Sequence, residues 1–179
     1  MISAIDYLNA LTTVNRHGFG FLLAYGLTWL VAALIWRTQG DRAGAYAALF
    51  QGMVALPLAF GLTALTAVGT RPEDPTMNML STYLATGQLM VLPLVIVLVM
   101  GRRYTLSAAI LAATTAVHFL PYTWLYQTPI YLVMAVLLAI VIAMLIRLED
   151  RRQQSSGALI CAASGIILSL GAVAAFVVS

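Results

Sequence analysis

The chain has 179 residues, of which 62% are hydrophobic and only 8% are charged, with a formal net charge of +3. An average soluble domain has roughly 45–50% apolar and about 25% charged residues, so this composition excludes an ordinary soluble domain and predicts a protein that faces lipid. All nine basic residues are arginine, which excludes lysine Schiff-base chemistry and P-loop nucleotide binding.

The remaining composition limits the partners further. The arginines are scattered and form no basic run with interleaved aromatics, so we expect no nucleic-acid partner. The single cysteine, Cys161, excludes an internal disulfide and a thiolate metal site.

Residues 1–16 are predicted to form a separate amphipathic N-terminal segment. Ile2, Ile5, Leu8 and Leu11 recur every three residues, opposite polar side chains. This pattern is typical of a short helix that lies at a membrane interface, here the outer one. The alternative is a frayed extension of the first span.

Six apolar stretches follow, each close to the ~20 residues that cross about 30 Å of hydrocarbon. The alternation typical of strands is absent, and an open sheet edge cannot lie in lipid. We therefore predict an all-α polytopic membrane protein in which residues 17–179 form one domain of six transmembrane helices. The predicted spans lie near residues 18–36, 43–68, 78–100, 106–120, 129–146 and 157–178.

The arginines predict the orientation of these spans. Seven of the nine fall in the loops after the first, third and fifth spans. Because lysine and arginine are retained on the cytoplasmic side, we predict a plasma (inner) membrane protein with both termini outside.

Two glutamines lie one to two turns before prolines inside the spans. Gln51 precedes Pro57 in the second span, and Gln88 precedes Pro93 in the third. A glutamine beside a proline-broken turn in two neighbouring helices can line a solute path. The alternative is that the prolines only kink their helices.

The last span carries a face of small residues, and the fifth span is uniformly apolar. Gly157, Cys161, Gly165 and Ser169 repeat every four positions, which allows close approach of another backbone. Internal packing and contact between two copies of the chain are the two alternatives. Residues 132–146 carry no polar side chain, and we expect them to face lipid.

His118 lies near the outer end of the fourth span, just before Pro121. We expect Pro121 to end that helix and to leave the following aromatic residues in an outer loop. Other elements that begin or end on the same side carry polar and charged residues there. The candidate binding residues are His118, Gln88, Gln51, Tyr122, Tyr126, Trp124, Asn78, Glu73, Asp74, Arg16 and His17.

Together these residues predict an outward-facing vestibule for a small polar or cationic solute, with aromatic rings available to a cation. The alternative is an ordinary interfacial belt of Trp and Tyr. His17 and His118 have no metal-binding spacing, so we predict no metal and no cofactor.

The segment 109–140, centred on residues 118–126 (HFLPYTWLY), resembles a family of small bacterial multi-span proteins of unknown function, as do residues 21–24 and 56–59. The resemblance implies the fold and draws attention to His118. In size and number of spans the chain is also similar to small urea and amide channels, with which it shares no motif.

The sequence therefore favours a channel or transporter for a small solute, embedded in the lipid bilayer. One alternative is a non-catalytic accessory or scaffold subunit, since no Asp, Glu or Arg lies at the centre of any span. Another is a membrane enzyme at the outer interface with His118 as its base; the sequence favours a non-enzymatic role over this one.

Overall fold

The computed structural model describes residues 3–152 and 154–179, and all regular elements in these residues are helical. A short helix, α1, precedes six segments that are long and apolar enough to cross a membrane. The chain is thus a multi-pass membrane protein, which confirms the predicted fold class. The helices are α1 (Ala4–Val14), α2 (Phe19–Gln39), α3 (Asp41–Thr66), α4 (Pro75–Gly87), α5 (Leu92–Met100), α6 (Tyr104–Leu125), α7 (Ile130–Arg152) and α8 (Gly157–Val177).

The α-helical hydrogen-bonding pattern of the third span is interrupted where the sequence places Gln88, although the backbone stays right-handed helical there; we call this interruption the helix break. A 3-10 turn over Gln88–Val91 separates α4 from α5, and Pro93 lies in the first turn of α5. Proline is tolerated there because the first backbone N–H groups of a helix have no intrahelical partner. Pro57, in contrast, lies inside a continuous α3, so the two similar proline segments fold differently.

The fourth span does not end at Pro121, and this expectation was wrong. α6 continues to Leu125, and the Tyr126 N–H still bonds to the Tyr122 carbonyl at 2.9 Å. Proline removes only one backbone donor, and Leu125 and Tyr126 are both buried, so packing of this last turn offsets the loss. Tyr122 and Trp124 therefore lie on a helix and not in a loop.

Helix α2 lies at the centre of the bundle and packs most extensively on α3 and α8. Gly26 of α2 lies so close to Gly165 and Ser169 of α8 that a Cβ atom would overlap their backbone. The small-residue face of α8 thus packs against α2 within the chain. Association of two copies through this face stays a prediction, and it would need α2 to move away.

The other spans are buried unevenly. One side of α7 is buried through Tyr131, Leu138 and Ile142, while its opposite side is exposed. Only the exposed side fits the expectation that this span faces lipid. Within their most apolar windows, α3 is 17% buried and the α4–α5 span only 11%. These two spans are therefore the most peripheral ones.

Both chain termini lie at the same end of the bundle, because the Arg16 guanidinium is 4.9 Å from the centroid of the Phe176 ring. We call this the terminal end. At the opposite, arginine-rich end, the Trp36 indole packs on Gly44 and Gly157 and donates to Asp41 Oδ1 at 2.6 Å. This contact joins α2, α3 and α8.

Candidate functional site

A column of aromatic rings runs along one face of α6 at the terminal end. His118, Tyr122 and Tyr126 are four residues apart and so lie one above the other on the helix. The ring centroids are 5.0 Å apart for His118 and Tyr122, and 6.0 Å for Tyr122 and Tyr126. The continuation of α6 past Pro121 creates this column.

Tyr131 of α7 completes a group of three phenols that we call the tyrosine stack (Tyr122, Tyr126 and Tyr131). Its ring centroid lies 5.7 Å from that of Tyr122 and 5.6 Å from that of Tyr126. Tyr126 and Tyr131 are only 5% and 2% exposed. Burial raises the pKa of the Tyr126 phenol, an effect partly opposed by Asn15 and Arg71, so this phenol is neutral at physiological pH and offers hydrogen bonds without charge.

Polar side chains of α2, α3 and the helix break lie further from the terminal end. The Thr28 hydroxyl donates to Gln51 Oε1 at 2.7 Å, which joins α2 to α3. Gln88, in the break, lies beside the phenol of Tyr25 on α2. Polar groups this deep in a membrane are costly unless paired, and Gln51 has such a partner in Thr28.

These groups lie next to the α6 column, because both α3 and the helix break pack against α6. We call the combined set the polar cluster. All but Thr28 are half-buried, which leaves part of each side chain accessible. The polar cluster consists of Tyr25, Thr28, Gln51, Gln88, His118 and Tyr122.

His118 itself has only ring contacts, to Phe119 and Tyr122. Among the described residues, neither of its ring nitrogens has a hydrogen-bond partner, so the imidazole can both donate to and accept from a ligand. A histidine that acts as a base is commonly oriented by a third group such as a carboxylate. No carboxylate of the described residues bonds to His118.

The turn between α1 and α2 packs directly on the tyrosine stack. Arg16, His17 and Gly18 have positive φ angles of 46°, 50° and 80°. His17 Nδ1 lies 3.1 Å from the Tyr126 carbonyl, and the Tyr131 hydroxyl donates to the His17 carbonyl at 2.7 Å. Arg16 Nε donates to the Thr66 carbonyl at 2.9 Å. The structure thus brings Arg16 and His17 to the terminal end, where they bind protein groups.

Helix α1 lies over the same end of the bundle. Leu8 and Leu11 of its predicted apolar stripe are 3% and 2% exposed, but Ile5 is 70% exposed and Tyr7 is buried instead. Ile2 lies outside the described residues. The amphipathic helix is confirmed, and its apolar side is covered by protein.

Four of the predicted binding residues belong neither to the polar cluster nor to the tyrosine stack and the turn that packs on it. Trp124 is 48% exposed, because a residue two positions from Tyr122 points to the far side of a helix. Glu73 is exposed in the loop before α4. Asp74 accepts from the Met77 N–H at 3.0 Å and caps α4. Asn78 is exposed, and its Oδ1 accepts from Tyr7 and Arg71 of the terminal end.

Several residues of the site were not predicted, namely Tyr7, Tyr25, Thr28 and Tyr131. Tyr25 and Tyr131 lie within apolar spans, where a phenol is a polar group as unusual as the glutamines that were chosen. Counting tyrosines among the intramembrane polar residues would have identified both. Their partners, however, come from distant parts of the chain and leave no local pattern.

The polar cluster contains no carboxylate and no arginine side chain. Within the part of the chain that the structure describes, no three His, Cys, Asp or Glu side chains come together as metal ligands. The polar cluster combines amide, hydroxyl, phenol and imidazole groups, which can donate and accept hydrogen bonds. This arrangement can bind a small hydrogen-bonding molecule.

The fold and this site define the class of the protein: an integral membrane protein of six spans with an uncharged polar cluster between them. The chain belongs to the family described as "Family of unknown function (DUF7010)", which matches residues 6–176. The predicted resemblance to a family of unknown function is thereby confirmed. No curated protein and no solved structure matches the chain.

Proposed function

We propose that the protein is a channel or transporter for a small polar solute. The observation that carries this proposal is the convergence of polar groups from four spans at the helix break, all of them half-buried except the buried Thr28. Tyr25 and Thr28 come from α2, Gln51 from α3, Gln88 from the break, and His118 and Tyr122 from α6. Transporters bind solutes near the membrane midplane at such interrupted helices.

The chemistry of the cluster supports a solute that exchanges its hydration for hydrogen bonds. A glutamine side chain offers two donors and an acceptor, and the imidazole and phenols add others. The aromatic faces of the cluster can also attract an organic cation. The proposed substrates are therefore small hydrogen-bonding molecules, either neutral or cationic.

We further propose that the terminal end faces outwards in the plasma (inner) membrane of the cell. Seven of the nine arginines belong to the opposite end, and arginine-rich loops remain in the cytoplasm. A solute would then enter near the tyrosine stack and pass Gln88 and Gln51. The mouth of this path corresponds to the predicted vestibule, but it contains fewer of the predicted binding residues.

The test is solute flux into proteoliposomes, measured for a panel of neutral and cationic solutes. Gln88→Leu should lower the flux of the transported solute about tenfold, the effect of losing about 1.4 kcal/mol of binding. Gln39→Leu makes the same chemical change at an exposed position at the arginine-rich end and should leave the flux unchanged. Flux equal to that of empty liposomes for every solute would refute the proposal.

A second candidate is an accessory subunit of a membrane complex. The low burial of α3 and of the α4–α5 span favours it, because a partner helix could pack there. Affinity purification from the native membrane tests this alternative. Isolation of the protein without a stoichiometric partner would weaken it.

A further inference from the structure

Helix α1 covers the end of the bundle at which the proposed path opens. Its Tyr7 and Leu11 are 1% and 2% exposed, so this side of the helix is buried to the same degree as the core. The Tyr7 hydroxyl lies 3.5 Å from Asn78 Oδ1 of α4, and His17, in the turn that follows α1, lies 3.1 Å from the Tyr126 carbonyl. Helix α1 therefore contacts the start of α4, and the turn after it contacts the end of α6.

The residues that join α1 to α2 adopt a backbone that L residues rarely use. Arg16 and His17 have φ angles of 46° and 50°, and non-glycine residues persist in this region only where the surroundings hold them. Gly18 follows with a φ of 80°. Three consecutive residues with positive φ produce a kink between two helices, which is a position where a hinge can form.

Contacts at both sides of the hinge hold α1 down. The His17 imidazole and carbonyl contact Tyr126 and Tyr131 of the tyrosine stack. On the other side, the Val68 N–H donates to the Val14 carbonyl at 3.1 Å, and Arg16 binds the Thr66 carbonyl. The same tyrosines thus line the mouth of the proposed path and retain the closed position of α1.

A polar group on the buried side of α1 has no partner within residues 3–152 and 154–179. The Thr12 hydroxyl of α1 is buried there without a hydrogen bond. A buried unsatisfied hydroxyl is unfavourable unless water or a ligand binds it. Motion of α1 would expose this hydroxyl together with the tyrosine stack.

We infer that α1 is a hinged cover of the solute path, and that it swings about residues 15–18 to admit solute to the tyrosine stack and the polar cluster. This inference rests on the proposed transport function. It adds that the closed position described here is the resting state, and that opening precedes solute binding.

The first test locks the cover with a reversible bridge. In a Cys161→Ala background, Val14→Cys and Val68→Cys lie on two backbones joined by a hydrogen bond and can be bridged by oxidation or a short bis-thiosulfonate reagent. The bridged protein should lose at least about tenfold in flux, and reduction should restore it. The two single-cysteine proteins, treated in the same way, are the controls. Equal flux in the bridged and the reduced protein would overturn the inference that α1 covers the path.

A second measurement does not depend on transport. Spin labels at Ile5→Cys, which is 70% exposed, and at Gln127→Cys in the exposed loop after α6 report the distance between α1 and the bundle. We expect two distances in nanodiscs, of which the longer is the open state. A single short distance would overturn the hinge. Two distances without flux of any solute would retain the hinge and refute the transport function.

Discussion

Gly18 is the position at which the N-terminal turn depends most on the absence of a side chain. Its φ angle is 80°, and a Cβ atom there would overlap the Tyr131 hydroxyl and lie 2.9 Å from the Tyr126 ring. For Gly18→Ala, the left-handed backbone costs about 1–2 kcal/mol and the overpacking about 1–3 kcal/mol. We therefore expect the free energy of unfolding to fall by about 2–5 kcal/mol.

Gly69 provides a matched control for this change. Its φ angle is 89°, and nothing lies within 4 Å of a Cβ atom built there, so Gly69→Ala should cost only the backbone term of about 1–2 kcal/mol. Unfolding by SDS titration from mild detergent micelles, followed by tryptophan fluorescence, gives both values. Equal losses for the two variants would show that the turn does not pack on the tyrosine stack, and would refute the reasoning.

Three further predictions test other contacts. Gly157→Ala should destabilise the protein by about 1–3 kcal/mol, because a methyl group would overlap the Trp36 indole; Gly61→Ala, in open space on α3, should be neutral or stabilising in the same unfolding assay. Tyr131→Phe leaves the His17 carbonyl without its donor and should cost about 1–3 kcal/mol, whereas Tyr83→Phe, 65% exposed, should change stability by less than about 0.5 kcal/mol. Burial raises the pKa of Tyr126 above its usual 10.0, so the unfolded chain loses this proton at a lower pH than the folded protein does. The free energy of unfolding should therefore fall as the pH rises above about 10. Tyr126→Phe should weaken that fall, and an unchanged dependence on pH would contradict the burial of the Tyr126 phenol.

The spans and their number could be predicted because they depend on length and hydropathy alone. The end of α6 could not, since the cost of Pro121 is local while the compensating burial of Leu125 and Tyr126 comes from other helices. Asp74 carries a local signal for a helix cap, although we predicted it as a binding residue. An aspartate directly before a proline is typical of a helix N-cap, which is the role it has at the start of α4.

The candidate site could be predicted only in part, for a similar reason. His118, Tyr122 and Tyr126 share one face of a helix, so their spacing brings them together. The contacts of His17 with Tyr126 and Tyr131, however, join residues 109 and 114 positions apart. No periodicity indicates such pairs, because they depend on how the helices are arranged around α2.

The central claim is that the polar cluster lies on an aqueous path, and the reactivity of a cysteine at Gln88 tests it most directly. In a Cys161→Ala background, Gln88→Cys is treated with a cationic, membrane-impermeant thiosulfonate in proteoliposomes. Val97→Cys on the same span, 65% exposed on the apolar surface, is the lipid-facing control. The account predicts that the cysteine at position 88 reacts and that the one at position 97 does not. A cysteine at position 88 as unreactive as the lipid-facing control would contradict the path.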